Sequence, residues 1–124
     1  MIVGVGIELV DRARFESLLE RYGDRLRKKL FTDGEREYAA RKKRGGESLA
    51  VRFAAKLAAR RALGTRAVGW RDIEVVRSRQ GPPTLRLAGA ADRAARRAGV
   101  SKIALTLTHD AQWCVGQVIL ESAQ

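Results

Sequence analysis

Residues 48–64 are SLAVRFAAKLAARRALG, and this stretch predicts a long helix at the centre of the fold. Ser48 suits the N-cap position because its hydroxyl can accept a backbone N–H, and Gly64 suits the left-handed conformation that ends many helices. Neither proline nor glycine interrupts the residues between them, and apolar side chains occupy most of the helix circumference. We therefore expect this helix to lie inside the core, with the other elements packed around it.

The charged residues of this helix are all basic. Arg52, Lys56 and Arg60 are four residues apart, so they share one stripe of the helix surface, and no acidic residue stands at matching spacing. Such a stripe is either a solvated face or the binding surface for an anionic partner. We expect an anionic partner, because three unopposed cations in one row would attract one.

The whole chain is strongly basic. It has 124 residues with 25 Lys and Arg against 14 Asp and Glu, a formal net charge of +11 and a pI near 11.0. This excess predicts an acidic partner, which is nucleic acid, a phosphorylated small molecule or an acidic protein. Arg-, Ala- and Gly-rich composition also arises in high-GC genomes without functional pressure. Nucleic acid is disfavoured because no recognised binding motif or aromatic stacking array accompanies the basic tract Arg41–Arg44.

The chain length and the cysteine count indicate the number of domains and the redox environment of the protein. We expect one domain over residues 1–124, because a chain of this size supports a single core. The one cysteine, Cys114, excludes an internal disulfide and favours a reducing, cytoplasmic setting, where it is expected to be a small buried side chain. No signal-like or membrane-spanning apolar run is present, so no membrane partner is expected.

The first residues predict a strand that carries one acid. Residues 2–10, IVGVGIELV, combine β-branched residues with glycines and are expected to form a buried strand. Glu8 interrupts its apolar run. A carboxylate in such a setting is costly unless it has a partner, so we expect Glu8 to be paired.

The remaining elements are predicted from capping residues, turn residues and apolar periodicity. They are helices over 11–22 and 33–43, a hairpin of strands 72–78 and 84–88, a helix over 89–98, and paired strands 102–108 and 113–120. Asp11 is expected to begin the first helix, and Thr32 with Glu35 forms a capping box for the second. The predicted class is α+β, with an antiparallel sheet packed on the long central helix.

Several motifs resemble one family over nearly the whole chain. They are GVGIELVDRARF at residues 4–15, RFAAK at 52–56, the hairpin over 72–87 and TLTHD at 106–110. In this order they are similar to the holo-acyl-carrier-protein synthases, the small trimeric 4′-phosphopantetheinyl transferases. Asp11 and Arg14 match the family pattern. The chain departs from it where the family usually has two metal-binding carboxylates and two lysines, at Glu8, Leu57, Arg61 and Pro82.

The resemblance implies a reaction and its participants. The family transfers 4′-phosphopantetheine from coenzyme A to a serine of an acidic acyl carrier protein, as a homotrimer with sites shared between subunits. Magnesium holds the pyrophosphate in this family, and its two carboxylates stand at the positions of Glu8 and Leu57. Because leucine cannot bind magnesium, the resemblance leaves Glu8 as the one expected protein ligand. Arg61 is expected to supply a substitute charge.

The resemblance also assigns roles to individual residues. It implies Glu8, Asp11 and Lys56 as catalytic residues, and a docking surface for the carrier protein at Arg14, Arg21 and Arg25. The implied coenzyme A contacts are Arg52, Lys56, Arg60, Arg61, Gly64 and His109. Two functions remain open: a working transferase that relies on Glu8, or a noncatalytic relative that keeps the carrier or coenzyme A surface.

Overall fold

A computed structural model describes residues 1–77 and 80–123. Two residues of the predicted hairpin, Ser78 and Arg79, lie outside the described ranges. The elements in chain order are β1 (Ile2–Asp11), α1 (Arg12–Leu30), α2 (Asp33–Ala40), α3 (Gly45–Leu63), a 3-10 turn (Trp70–Asp72), β2 (Ile73–Val76), β3 (Thr84–Leu87), α4 (Gly89–Arg97), β4 (Val100–His109) and β5 (Trp113–Ser122). The predicted α+β class is confirmed.

An antiparallel sheet in the order β1-β5-β4 packs against α3. The contact is close because glycines face the helix. A methyl group on Gly6 would overlap the carbonyl oxygen of Ala58, and one on Gly116 would lie 2.7 Å from the backbone of Ala54. The small residues on both sides therefore let the strand and helix backbones touch, and α3 lies at the centre as predicted.

The end of α3 is confirmed and its beginning is corrected. Gly64 adopts φ 72°, and its N–H bonds to the carbonyls of Arg60 and Arg61. The helix starts at Gly45, so the prediction that Ser48 is the N-cap is wrong. The Ser48 N–H already bonds to the carbonyl of Arg44 at 3.1 Å, which places Ser48 inside the first turn.

The first two helices differ from their predicted lengths. The helix expected to begin at Asp11 begins at Arg12, with Asp11 as its N-cap accepting the Arg14 N–H at 3.2 Å, and it continues through Leu30. Gly23, with φ 60° and ψ −143°, breaks the helical path near the predicted end. The capping box of α2 is present, and α2 ends at Ala40 because the chain must turn before α3 begins.

The later elements are confirmed in type and order, although β2 ends at Val76 and β4 and β5 are longer than predicted. β2 and β3 form the expected antiparallel hairpin, α4 covers the Ala/Arg-rich segment, and β4 pairs with β5. Gly99, with φ 74°, follows the end of α4. In the described ranges, no helix has both the length and the apolar character that crossing a bilayer requires.

The prediction that β1 is a buried strand is wrong for one of its faces. Gly4 and Gly6 face α3 and Val10 is buried, whereas Val3, Val5, Ile7 and Leu9 are 39–60% exposed. Alternate residues of a strand point to opposite faces, and within the described chain no element covers the odd-numbered face. β1 therefore presents an exposed apolar row.

Candidate active site

Lys56, the last residue of the RFAAK motif, is enclosed in the core. Its side chain is 0% exposed, and its Nζ lies 2.7 Å from Oε1 of Glu35. Nζ also donates to the carbonyl oxygens of Trp70, at 2.9 Å, and of Ile73. These acceptors match the three donors of an ammonium group. Burial lowers the pKa of Lys56, and the nearby charge of Glu35 opposes that effect.

Glu35 joins three elements through one buried carboxylate. Its Oε1 accepts the Thr32 N–H at 3.0 Å, and its Oε2 accepts the Val75 N–H at 2.9 Å. At Lys56 the expected anionic partner of the basic stripe is therefore a carboxylate of the protein itself and not a bound ligand. The neutralising acid comes from α2, which packs against α3, and helical spacing within one helix cannot reveal it.

A first cleft, here called the histidine cleft, lies between α2, α3 and the end of β4. The guanidinium of Arg52 stacks 4.2 Å from the centre of the Tyr38 ring, and its Nη1 donates to Ser48 Oγ at 2.8 Å. Nδ1 of His109 lies 3.5 Å from Oε1 of Glu47. The cleft has a volume of about 380 Å³ and is lined by Tyr38, Lys42, Lys43, Arg44, Glu47, Ser48, Val51, Arg52, Arg77, Pro83, Leu107 and His109. The predicted Arg52 and His109 thus share one site.

A second cleft, here called the arginine cleft, lies between β1 and the C-terminal half of α3. Its volume is about 320 Å³, and it is lined by Glu8, Leu57, Arg60, Arg61, Gly64, Thr65 and Arg66. Oε1 of Glu8 accepts a hydrogen bond from Nε of Arg61 at 2.5 Å. Glu8 is thus paired, as its place in the strand predicted. The structure brings together four of the predicted site residues here and separates them from Arg52 and His109, because the two clefts share no lining residue.

The other predicted site residues lie outside both clefts. Asp11 caps α1, and Lys56 is internal. Arg14, Arg21 and Arg25 are exposed on α1, but the break at Gly23 separates Arg25 from the continuous helical turns that carry the first two.

Sequence reasoning missed Glu35, Tyr38 and Glu47. A local signal existed for two of them. Glu35 and Tyr38 are three residues apart on α2, so they share the face that meets α3. Glu47 had no such signal, since its partner Arg12, at 2.7 Å, is brought close only by the packing of α1 on α3.

Comparisons with known proteins identify the family and the fold. The family model of the 4′-phosphopantetheinyl transferase superfamily matches residues 4–118. The chain belongs to this superfamily. The resemblance and the expected fold are therefore confirmed.

Close relatives within the superfamily are holo-acyl-carrier-protein synthases. The protein of that name from Solibacter usitatus is 46% identical over 125 residues, which cover 98% of this chain and 100% of the relative. The synthase structure from Neisseria meningitidis has a TM-score of 0.90 at 26% identity, covering 98% of this chain and 100% of that one. A synthase from Bacillus anthracis in complex with coenzyme A (3′,5′-ADP) has a TM-score of 0.80 at 33% identity, covering 99% of each chain.

The residues present do not fit the magnesium ion that the superfamily implies. Glu8 is the one carboxylate that lines the arginine cleft, and it is already bonded to Arg61. Leu57 presents an aliphatic wall where a second carboxylate would stand. The described residues contain no cluster of three or more His, Cys, Asp or Glu side chains suited to a metal. Magnesium prefers oxygen ligands, and this cleft offers guanidinium groups instead.

Cys114 behaves as a structural residue of this transferase-like fold, and we predict that it is unreactive. It is fully buried, and this burial, with the nearby charge of Glu47, raises the pKa of the Cys114 thiol to about 11 from the ordinary 9.0. The thiolate fraction at pH 8 is then about 100-fold lower, so alkylation by iodoacetamide is expected to slow at least as much. Intact-mass measurement of the native and the guanidinium-unfolded protein provides the comparison, and equal rates would contradict the prediction.

Proposed function

We propose that this protein transfers the 4′-phosphopantetheine group of coenzyme A to a serine of an apo acyl carrier protein. The observation that carries the proposal is the 46% identity to a holo-acyl-carrier-protein synthase over 98% of this chain. The two basic clefts support it, because guanidinium groups bind phosphates strongly and coenzyme A carries three of them.

In the proposed step, the serine oxygen attacks the phosphorus atom that bears the pantetheine arm. A P–O bond forms there, the bond from this phosphorus to the bridging oxygen of the pyrophosphate breaks, and 3′,5′-ADP leaves. The serine proton passes to a carboxylate of β1, Glu8 or Asp11, or to a water. Catalysis of such a transfer depends mainly on positioning and on neutralising the phosphate charge.

Lys56 has a positioning role in this proposal. Its ammonium is enclosed, so it acts through the elements that it joins. By binding Glu35 of α2 and the carbonyls of Trp70 and Ile73, it sets the position of α3, which carries residues of both clefts.

We propose a homotrimer in which each coenzyme A site combines residues of two subunits. The exposed apolar row Val3, Val5, Ile7 and Leu9 supports a subunit contact, since a row of this kind is stabilised when a second copy covers it. Joining the histidine cleft of one subunit to the arginine cleft of the next would reunite Arg52 and His109 with Arg60 and Arg61.

The carrier protein is proposed to dock on α1. Arg14, Arg21 and Arg25 are exposed there, and within the described residues none of them has a carboxylate partner. Complementary charge of this kind speeds encounter with an acidic protein and fixes its orientation.

We also propose that the protein works in a reducing compartment such as the cytoplasm, because its cysteine, Cys114, is a free thiol.

The test is an intact-mass assay of an apo carrier protein incubated with coenzyme A and this protein. We predict a mass increase of one phosphopantetheinyl group, which is absent when the acceptor serine of the carrier is replaced by alanine. The wild type and a Glu8→Asp and Leu57→Glu double variant are both assayed in the presence of magnesium. If only that variant modifies the carrier, the wild type is a noncatalytic relative and the proposal fails.

A further inference from the structure

The arginine cleft has the wrong charge for a cation and the right charge for a polyanion. Three guanidinium groups and one carboxylate line it, which gives a formal charge of +2. A divalent cation would have to displace Arg61 from Glu8 while remaining beside Arg60 and Arg66. A pyrophosphate would instead meet donors already in place.

Arg61 can bind a phosphate without giving up its hydrogen bond to Glu8. Its Nε donates to Glu8, and among the described residues no acceptor bonds to its two Nη groups. The side chain is 64% exposed, so these groups are accessible from the cleft. A guanidinium has five donors in one plane, so one edge can bind Glu8 and another a phosphate.

Arg60, the preceding residue of α3, is fixed by contacts of its own. Its guanidinium stacks 4.0 Å from the centre of the Trp70 ring, and its Nη2 donates to the Arg66 carbonyl at 2.8 Å. Its Nε is buried and has no hydrogen-bond partner within the described chain. The remaining terminal nitrogen, Nη1, has no hydrogen-bond acceptor among the described residues and is not among the buried unpaired atoms, so it is the group that can meet a phosphate oxygen.

We propose that Arg61, held by Glu8, and Arg60 neutralise the pyrophosphate of coenzyme A in place of a divalent cation. This inference rests on the proposed function, because it assumes that coenzyme A is the donor. Glu8 is then a positioning residue for Arg61 and not a metal ligand. Leu57 is compatible with this arrangement, since no ligand is required at its position.

Calorimetric titration of coenzyme A into the 124-residue protein tests the proposal. The wild type is measured after treatment with EDTA and again in excess magnesium, and we expect the two affinities to agree within about threefold. With EDTA present, Arg61→Gln is expected to weaken binding by at least about tenfold. Arg97→Gln removes the same charge from exposed α4, outside the cleft, and is expected to change affinity by less than about twofold.

Each contrary result has a distinct meaning. If magnesium strengthens wild-type binding by about tenfold or more, this inference is overturned and the proposed function stands. If Arg61→Gln binds like Arg97→Gln, Arg61 does not hold the pyrophosphate and the inference again fails. If the wild type binds coenzyme A in neither condition, the proposed function fails as well. The Glu8→Asp and Leu57→Glu double variant is the positive control for a metal-dependent signal.

Discussion

Lys56→Met is expected to lower the free energy of unfolding by about 3–5 kcal/mol. The substitution keeps most of the side-chain volume but leaves the Glu35 carboxylate buried without its cation. It also removes the donor that satisfies the carbonyls of Trp70 and Ile73. Guanidinium denaturation at one fixed protein concentration measures the loss, since subunit association would otherwise shift the apparent stability.

Two further variants distinguish the effect of breaking the buried Lys56–Glu35 pair from the general effect of losing a lysine. Lys102→Met changes an exposed lysine of β4 and is expected to alter stability by no more than about 0.5 kcal/mol. Adding Glu35→Gln to Lys56→Met removes the orphaned charge and is expected to recover at least about 1 kcal/mol. If Lys56→Met is as mild as Lys102→Met, the pair does not stabilise the fold.

Gly6→Ala is expected to destabilise the protein by about 3 kcal/mol or more. The new methyl group would overlap the carbonyl oxygen of Ala58, and both the strand and the helix backbones would have to move apart. Because a backbone carbonyl cannot rotate away as a side chain can, the cost falls on the whole contact between β1 and α3. Thermal unfolding followed by circular dichroism measures it.

Gly69→Ala is the matched control for Gly6→Ala. Gly69 has φ −72°, which any residue adopts, and a methyl group there would lie 3.5 Å from its nearest neighbour, the Asp72 carboxylate. Its effect is expected to stay within about 1 kcal/mol of the wild type. Similar unfolding temperatures for the two variants would show that β1 and α3 do not need this close approach.

The order and type of the helices and strands were predictable from sequence. Helix ends that depend on local capping, such as those at Thr32 and Gly64, were predicted correctly because the cap and the group it satisfies are close in the chain. Ser48 was misassigned, since a serine within a first turn has the same local pattern as one at the N-cap. The length of α1 was underestimated because it continues beyond the break at Gly23.

The sequence predicted which residues belong to the candidate site but not how they are arranged in space. Of the catalytic and coenzyme A residues that the family resemblance selected, the structure places all at cleft walls except Asp11, which caps α1, and Lys56, which is internal. Their division between two clefts was not predictable from spacing along one helix. It depends on which elements pack beside each turn of α3.

The sequence by itself determined the α+β class, the central helix and membership of the superfamily, because apolar periodicity, helix caps and motifs are patterns of residues that are close together in the chain. Tertiary structure decided the charge pairing. Lys56 meets Glu35 of another helix, and Arg61 meets Glu8 although 53 positions separate them. The physical reason is that the energy of a charge depends on its burial and on the nearest opposite charge, and both are set by packing between distant parts of the chain.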